Sequence, residues 1–124
     1  MNNINIEHYK QFHKKRANEK FAEREKKRQS IIAAFTELTQ IFKQLDAAKV
    51  IIYGSVLTPG QFYQQSDLDI LVFGLKDDQW AEAFRKLESI ERLKHTPIDI
   101  KFDRMVDNRF IDFILTHCEH MTIL

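Results

Sequence analysis

The sequence has little cysteine and no long hydrophobic run, and both absences limit the class of protein that it encodes. Its one cysteine, Cys118, cannot form an internal disulfide bond, which fits a reducing compartment. No apolar stretch approaches the roughly 18 residues of a membrane-spanning helix, and the polar residues 1–5 lack the basic and apolar regions of a signal peptide. We therefore expect a soluble, cytoplasmic protein that makes no membrane contact.

The composition predicts one hydrophobic core and an uneven distribution of charge. The chain of 124 residues is 44% hydrophobic and 30% charged, as is usual for a single globular domain. Residues 1–30 contain nine Lys or Arg against four Glu, a balance of +5, so the net charge of +1 leaves −4 for the remainder. We predict a basic helical extension over residues 1–29 and a domain over residues 30–124 that faces different partners.

Residues 5–46 contain neither glycine nor proline and have a composition that favours helix. From residue 31 the hydrophobic residues recur every three or four positions, as on a helix that packs on a core; they include Ile32, Phe35, Leu38, Phe42 and Leu45. Ser30 is the predicted N-cap of this helix or the break before it. Upstream, a thinner apolar stripe is interrupted at Arg24 and Arg28, which predicts that the first helix lies outside the core.

The basic segment at residues 10–28 has three interpretations. It is a solvated helix of mixed charge, a helix that binds a partner or a second copy through Tyr9, Phe12 and Phe21, or a surface that touches RNA. The intervening Glu residues argue against strong phosphate binding. We therefore do not expect direct nucleic-acid binding, whereas a homo-oligomer formed through this helix stays open.

Three short apolar runs after residue 49 predict strands at residues 50–53, 70–73 and 98–102. Thr58-Pro59-Gly60 predicts a turn between the first two strands, and residues 120–124 are too few to assign. The predicted fold is therefore a small α/β (α+β) domain, in which helices flank a mixed sheet of about three strands.

Two further helices are predicted in the second half of the chain. The first spans residues 77–93 with Asp77 or Asp78 as its cap, and the last is capped by Asp107. Trp80 and Phe84 share a helix face with Leu87 and Ile90, which indicates core packing rather than a surface for stacking bases.

The candidate chemistry lies between residues 54 and 69 and on the third strand. Asp67 and Asp69 are two apart at the start of a strand, so their side chains point to one face with Cα atoms ~7 Å apart. Asp99 joins them if the third strand pairs beside the second. Three carboxylates on one face repel one another unless a cation lies between them, and Mg²⁺ prefers carboxylate and phosphate oxygens. Gly54 allows close approach of a triphosphate, to which Ser55 offers a hydroxyl.

Gly54-Ser55, the gap over residues 56–66, Asp67-Leu68-Asp69 and the later Asp99 together resemble the minimal nucleotidyltransferase (MNT) domain of the DNA polymerase beta superfamily. The resemblance covers roughly residues 31–118. It implies a nucleotidyltransferase-like fold, ATP as substrate and two Mg²⁺ ions. Many proteins of this kind are antitoxins paired with a HEPN-domain ribonuclease, so the resemblance also implies AMPylation of the toxin on a tyrosine.

The resemblance assigns a role to each candidate residue. Asp67, Asp69 and Asp99 are the expected catalytic and metal-binding residues, and Asp99 also helps to accept the proton of the attacking hydroxyl. Gly54 and Ser55 are expected to hold the β- and γ-phosphates. Ser66 is placed with them as nucleotide-binding, although its position before the acidic pair equally suits a turn residue, and it has no partner that would make it a nucleophile.

One departure from the family concerns the phosphate end of the site. Related domains often have basic residues after Gly-Ser, whereas this chain has Val56-Leu57-Thr58-Pro59. Phosphate charge must then be met by the metal, by backbone groups, or by a Lys or Arg that is distant in sequence. Asp103 competes with Asp99 as the third acid, but is expected to lie beyond the end of the strand.

Other interpretations of site and function remain. His117, Cys118 and His120 suit the end of a helix with a buried thiol better than a zinc site, because neighbouring positions on a helix diverge and no fourth ligand is spaced correctly. The alternatives to a protein AMP-transferase are a non-catalytic antitoxin that masks its partner, and an enzyme that nucleotidylates a small molecule such as an aminoglycoside. The sequence alone does not identify the nucleotide, the acceptor or the oligomeric state.

Overall fold

A computed structural model describes residues 5–124, in which four helices and four strands form one α+β unit. The helices are α1 (Ile6–Ala33), α2 (Phe35–Gln44), α3 (Trp80–Glu88) and α4 (Asn108–His117). The strands are β1 (Lys49–Tyr53), β2 (Leu68–Phe73), β3 (Ile98–Phe102) and β4 (His120–Thr122). No described helix combines the length and the hydrophobicity needed to cross a lipid bilayer. Residues 1–4 lie outside the described range. They form most of the polar segment in which we expect no signal peptide.

The sheet is mixed, with the strand order β3-β2-β1-β4. β1 pairs antiparallel with both β2 and β4, and β2 pairs parallel with β3. A parallel pair requires a crossover connection, which α3 supplies. The predicted fold class is confirmed, and the three predicted strands lie at the expected places. The sheet has a fourth strand because the unassigned C-terminal residues pair with β1, from Ile51 opposite Thr122 to Tyr53 opposite His120.

The predicted break at Ser30 is wrong. Ser30 lies inside α1, and the interruption falls at Ala34, which is fully buried and whose N–H donates to the carbonyl of Ile31 at 2.9 Å. This hydrogen bond spans three residues instead of the four of an α-helix. α1 ends here, and α2 begins at Phe35. No polar capping residue marks this position, because the break is set by tertiary packing of a small apolar residue.

The predicted helix over residues 77–93 is also shorter than expected. A 3₁₀ turn occupies Asp77–Gln79, α3 ends at Glu88, and a second 3₁₀ turn covers Glu91–Leu93. Neither Asp77 nor Asp78 caps α3. Instead the side chain of Gln79 accepts a hydrogen bond from the Lys76 amide and donates one to the Leu45 carbonyl, both at 2.9 Å. The predicted cap of α4 is confirmed, since Asp107 accepts from the amide of Arg109 at 2.8 Å.

The two faces of the sheet have different coverings. The end of α1 together with α2 and α3 covers the face that holds the main core, while α4 covers the other face through a smaller cluster of Ile51, Tyr53, Leu71 and Ile114. Trp80 stacks on the buried Phe102 with ring centroids 4.7 Å apart, so its interpretation as a core residue is confirmed. The same interpretation of Phe84 is wrong, because this side chain is 43% exposed. The α4 face leaves room near the start of β2 and β3 for the polar residues described next.

Candidate active site

Three carboxylates converge where β2 and β3 begin. Asp69 lies opposite Asp99 in the parallel register of the two strands, and Asp67 precedes β2 by one residue. One oxygen from each of the three can be chosen so that all lie within 4.8 Å of one another. The parallel pairing therefore brings together the three acids that the sequence singles out, in a cluster whose hard oxygen donors suit a divalent cation such as Mg²⁺.

Burial and the neighbouring carboxylates raise the pKa values of Asp69 and of the tyrosine beside it. Burial and then the nearby charges of Asp99 and Asp67 together raise the pKa of Asp69 to about 6, against the opposing effect of Lys101. The pKa of Tyr53, which faces Asp69 across β1 and β2, is raised by burial and then by Asp69 and Asp99. The site thus concentrates negative charge in a partly dehydrated position, and a cation would relieve it.

Gly54 lies directly against the cluster of carboxylates. Its φ of +87° is a conformation that residues with a side chain rarely adopt, and a Cβ atom there would lie 2.7 Å from Oδ2 of Asp69. Ser55 begins a 3₁₀ turn, Ser55–Leu57, directly after it. The turn that ends β1 therefore lies against a carboxylate of β2, with its backbone close to where a metal and a phosphate would meet.

A family model described as polymerase beta, nucleotidyltransferase matches residues 36–121, well over half of the chain. The chain belongs to the polymerase beta nucleotidyltransferase family. Among solved structures, it is similar to a chain in the crystal structure of a mutant of the toxin–antitoxin complex MntA–HpeT. That match has a TM-score of 0.54 and 15% sequence identity, and covers 73% of this chain and 72% of the other. It supports the fold. No curated protein matches the chain.

Lys101 is a residue of this family member's site that the sequence reasoning missed. It lies two residues after Asp99 on β3, and its Nζ donates to both carboxylate oxygens of Asp99, at 2.8 and 3.0 Å. The only sequence signal was its position, because residues i and i+2 of a strand share a face. The ammonium of Lys101 therefore places one positive charge beside the three carboxylates.

The basic helix α1 contacts the turn that follows Gly54-Ser55. Arg28, only 7% exposed, donates from Nη1 to the carbonyl of Val56 at 3.0 Å and forms an ion pair with Glu25 at 3.0 Å. Glu25 accepts a hydrogen bond from the amide of Gly60, which is the main reason that its pKa is lowered, with Arg28 contributing. The interruption of the apolar stripe at Arg28 was the sequence signal for this contact. By itself the interruption predicts an exposed side chain, whereas the structure buries Arg28.

α1 also lines a groove beside the loop that leads to Asp67. The groove has a volume of about 1030 Å³, and its lining includes Lys20, Arg24, Lys27, Tyr63, Gln64 and His95. Lys27 donates to the carbonyl of Gln64 at 2.9 Å, and the Arg24 guanidinium lies 4.8 Å from the centre of the Tyr63 ring. Positive charge distant in sequence therefore does reach the segment between Gly-Ser and the acidic pair.

The remaining candidates lie at the margin of the cluster or away from it. Ser66 closes a turn, because its Oγ accepts from the Tyr63 amide at 2.9 Å while its own amide donates to the Tyr63 carbonyl at 3.0 Å; its role toward a nucleotide stays a prediction. Asp103 follows the end of β3 and accepts from the amide of Arg104 at 3.1 Å. His120 Nδ1 lies 3.1 Å from the carbonyl of Cys118, a contact within the connection between α4 and β4.

Proposed function

We propose that the protein is a Mg²⁺-dependent nucleotidyltransferase that transfers AMP from ATP to a tyrosine hydroxyl of a HEPN-type toxin and so acts as its antitoxin. The observation that carries the proposal is the meeting of Asp67, Asp69 and Asp99 against the backbone of Gly54. Family membership supports the reaction type. The named toxin–antitoxin complex with a similar fold supports a toxin as partner, and the MNT motif supports AMP and tyrosine.

The donor set of the cluster fits Mg²⁺. Its three side chains offer only carboxylate oxygens, and the raised pKa of Asp69 reflects burial first and then repulsion by Asp99 and Asp67, both of which a divalent cation would offset. Mg²⁺ held by these residues would bind phosphate oxygens of ATP and stabilise the charge that develops in the reaction. Asp67 and Asp69 are proposed to hold both ions, and Asp99 one of them.

The proposed step is an in-line displacement at the α-phosphorus of ATP. The tyrosine oxygen forms a bond to the α-phosphorus, while the bond between that phosphorus and the oxygen that bridges to the β-phosphate breaks. Pyrophosphate leaves with the electron pair of the broken bond, and the proton of the tyrosine hydroxyl passes to the carboxylate of Asp99. Gly54 and Ser55 are proposed to hold the β- and γ-phosphates, since close approach of the backbone at Gly54 needs a residue without a side chain.

A labelling experiment tests this reaction. The protein is incubated with Mg²⁺, ATP labelled at the α-phosphate and the product of an adjacent toxin gene. We expect label on a tyrosine of the partner, and we expect Asp67→Asn to abolish it. Asp103→Asn is the matched control, because this acid lies past the other end of β3 and should leave labelling intact. Persistent labelling by the Asp67→Asn variant would refute the mechanism.

A binding role without chemistry is the second candidate, and the exposed aromatic residues of α1 favour it. Tyr9 and Phe12 are 59% and 53% exposed, as suits residues that contact a partner. A double variant, Asp67→Asn with Asp69→Asn, separates the two functions in a growth-rescue assay with the toxin. Full neutralisation by this variant would make masking the function, whereas loss of neutralisation with retained toxin binding supports catalysis.

A further inference from the structure

The ammonium of Lys101 lies where a metal bound to Asp99 would compete with it. Both residues are on β3, two positions apart, and Nζ lies 2.8 Å from one Asp99 oxygen and 3.0 Å from the other. The lysine side chain is only 29% exposed. Its Nζ also lies 5.7 Å from the centre of the Phe110 ring of α4, a contact that favours the same position of the ammonium.

Lys101 partly neutralises the cluster, and its direct ion pair is with one acid, Asp99. Between residues 5 and 124, Asp99 is the one acid of the three that forms an ion pair, and Lys101 is its partner. Each oxygen of Asp99 therefore already accepts one hydrogen bond from the ammonium, whereas neither Asp67 nor Asp69 forms an ion pair among the described residues. A divalent cation that binds all three acids must either share Asp99 with the ammonium or displace it, and in both cases it begins close to a positive charge that opposes its binding.

We propose that Lys101 is a positioning residue that holds Asp99 in the metal-free protein and weakens metal binding until a nucleotide is present. The inference rests on the proposed metal site. A nucleoside triphosphate carries negative charge that attracts the released ammonium, so the lysine opposes metal binding less in the presence of the nucleotide than in its absence. Lys101 thus makes metal binding at Asp99 depend on whether the nucleotide is bound.

Direct Mn²⁺ binding to the full-length protein tests this coupling, measured by electron paramagnetic resonance of free Mn²⁺ with and without a non-hydrolysable ATP analogue. Without nucleotide, Lys101→Met should bind Mn²⁺ about tenfold more tightly than the wild type, as expected for removing a unit charge a few ångströms from a divalent ion. With the analogue the difference should shrink to about twofold. Lys49→Met is the matched control and should change nothing, because Lys49 lies over the Phe73 ring at the same 5.7 Å but pairs with no acid of the cluster.

Two further variants keep the test decisive. Lys101→Arg keeps the charge and should bind Mn²⁺ like the wild type, and Lys101→Gln should behave like Lys101→Met even if the latter does not fold. Equal affinities in all Lys101 variants, or an equal gain with and without the analogue, would overturn the inference. Failure of the proposed function looks different: the wild type would bind no Mn²⁺, or would bind it no better than Asp67→Asn.

Discussion

Burial and the neighbouring negative charges both raise the pKa of Asp69. Its pKa of about 6 in the folded chain lies above its ordinary value of 3.8, so the folded protein binds this proton more tightly than the unfolded chain does. The stability linked to this proton is therefore complete below about pH 4 and is lost as the pH rises through about 6. Without metal, the ionised Asp69 destabilises the fold at neutral pH.

Replacing Asp69 by Asn should stabilise the metal-free protein at neutral pH. We expect a gain of about 1 kcal/mol in the free energy of unfolding at pH 7.5, a value that allows for solvent screening of a partly exposed group, and no gain at pH 4. Urea unfolding in EDTA at the two pH values measures it. Asp112→Asn, at an exposed position of α4, should have no effect at either pH. A variant that is no more stable than wild type at pH 7.5 would contradict the expectation.

The acidic residues of the site were predictable, and the basic residues around it were not. Asp67 and Asp69 are fixed on one face by their spacing, and Asp99 needs only the pairing of its strand beside theirs. Lys101 obeys the same spacing rule, but nothing in the sequence shows that its ammonium turns toward Asp99 rather than solvent. The burial of Arg28 is not predictable, because a charged residue on an apolar stripe indicates exposure unless its partners, here Val56 and Glu25, are known.

At the scale of elements, the contact of α1 with the turn after Ser55 is the feature that joins the basic helix to the site. Arg28 bridges Glu25 on its own helix and the Val56 carbonyl of the turn, and Glu25 in turn accepts from the Gly60 amide. The turn is thereby fixed at two points from outside the sheet. α1 therefore supports the phosphate end of the candidate site, even though it supplies none of its acids.

Arg28→Met should weaken this support. The substitution keeps the aliphatic stem but leaves the buried carbonyl of Val56 without its donor and Glu25 without its ion pair, so we expect a loss of about 2 kcal/mol in the free energy of unfolding. Chemical denaturation of the two proteins measures it. Lys10→Met is the control, since Lys10 and Glu7 form an exposed pair with the same spacing on α1, at 4.0 Å, and should change stability by less than about 0.5 kcal/mol. An equally small effect at Arg28 would show that the contact adds nothing.

Elements were predicted where local periodicity decides them and missed where tertiary pairing does. β1 and β2 contain continuous apolar runs, β3 alternates apolar residues with Asp99 and Lys101, and Asp107 has the spacing of an N-cap, so each is predicted from the sequence. β4 has three exposed residues and no alternation that distinguishes it from coil; it is a strand because β1 offers it an edge. The break at Ala34 and the end of α3 at Glu88 likewise depend on packing against other elements.

At the scale of the molecule, α1 has an exposed part and an attached part. The described residues before Arg24 are all exposed, while Glu25, Lys27 and Arg28 contact the segment between β1 and β2. The predicted boundary between residues 29 and 30 falls within a continuous helix. It remains a prediction, and the contacts favour a functional division nearer to residue 20.

Two truncations locate this division. Removal of residues 1–19 should leave the melting temperature within about 2 °C of the full chain, because the described residues of that segment, 5–19, are all exposed. Removal of residues 1–29 should lower it by about 5 °C or more, since the contacts of Glu25, Lys27 and Arg28 are lost with it. Differential scanning calorimetry measures both. Equal melting temperatures for the two truncations would place the boundary at residue 29 after all.

The parallel pairing of β2 with β3 also determines when the site comes into existence. Asp67 and Asp69 are neighbours in any chain that has formed β2, but Asp99 arrives only when a connection of about thirty residues has closed through α3. A refolding chain that has paired β1 with β2 alone holds two of the three acids and no Lys101. Pairing of β3 with β2 and completion of the ion-binding cluster are thus a single kinetic event, and the appearance of full metal affinity during refolding would report when this pairing forms.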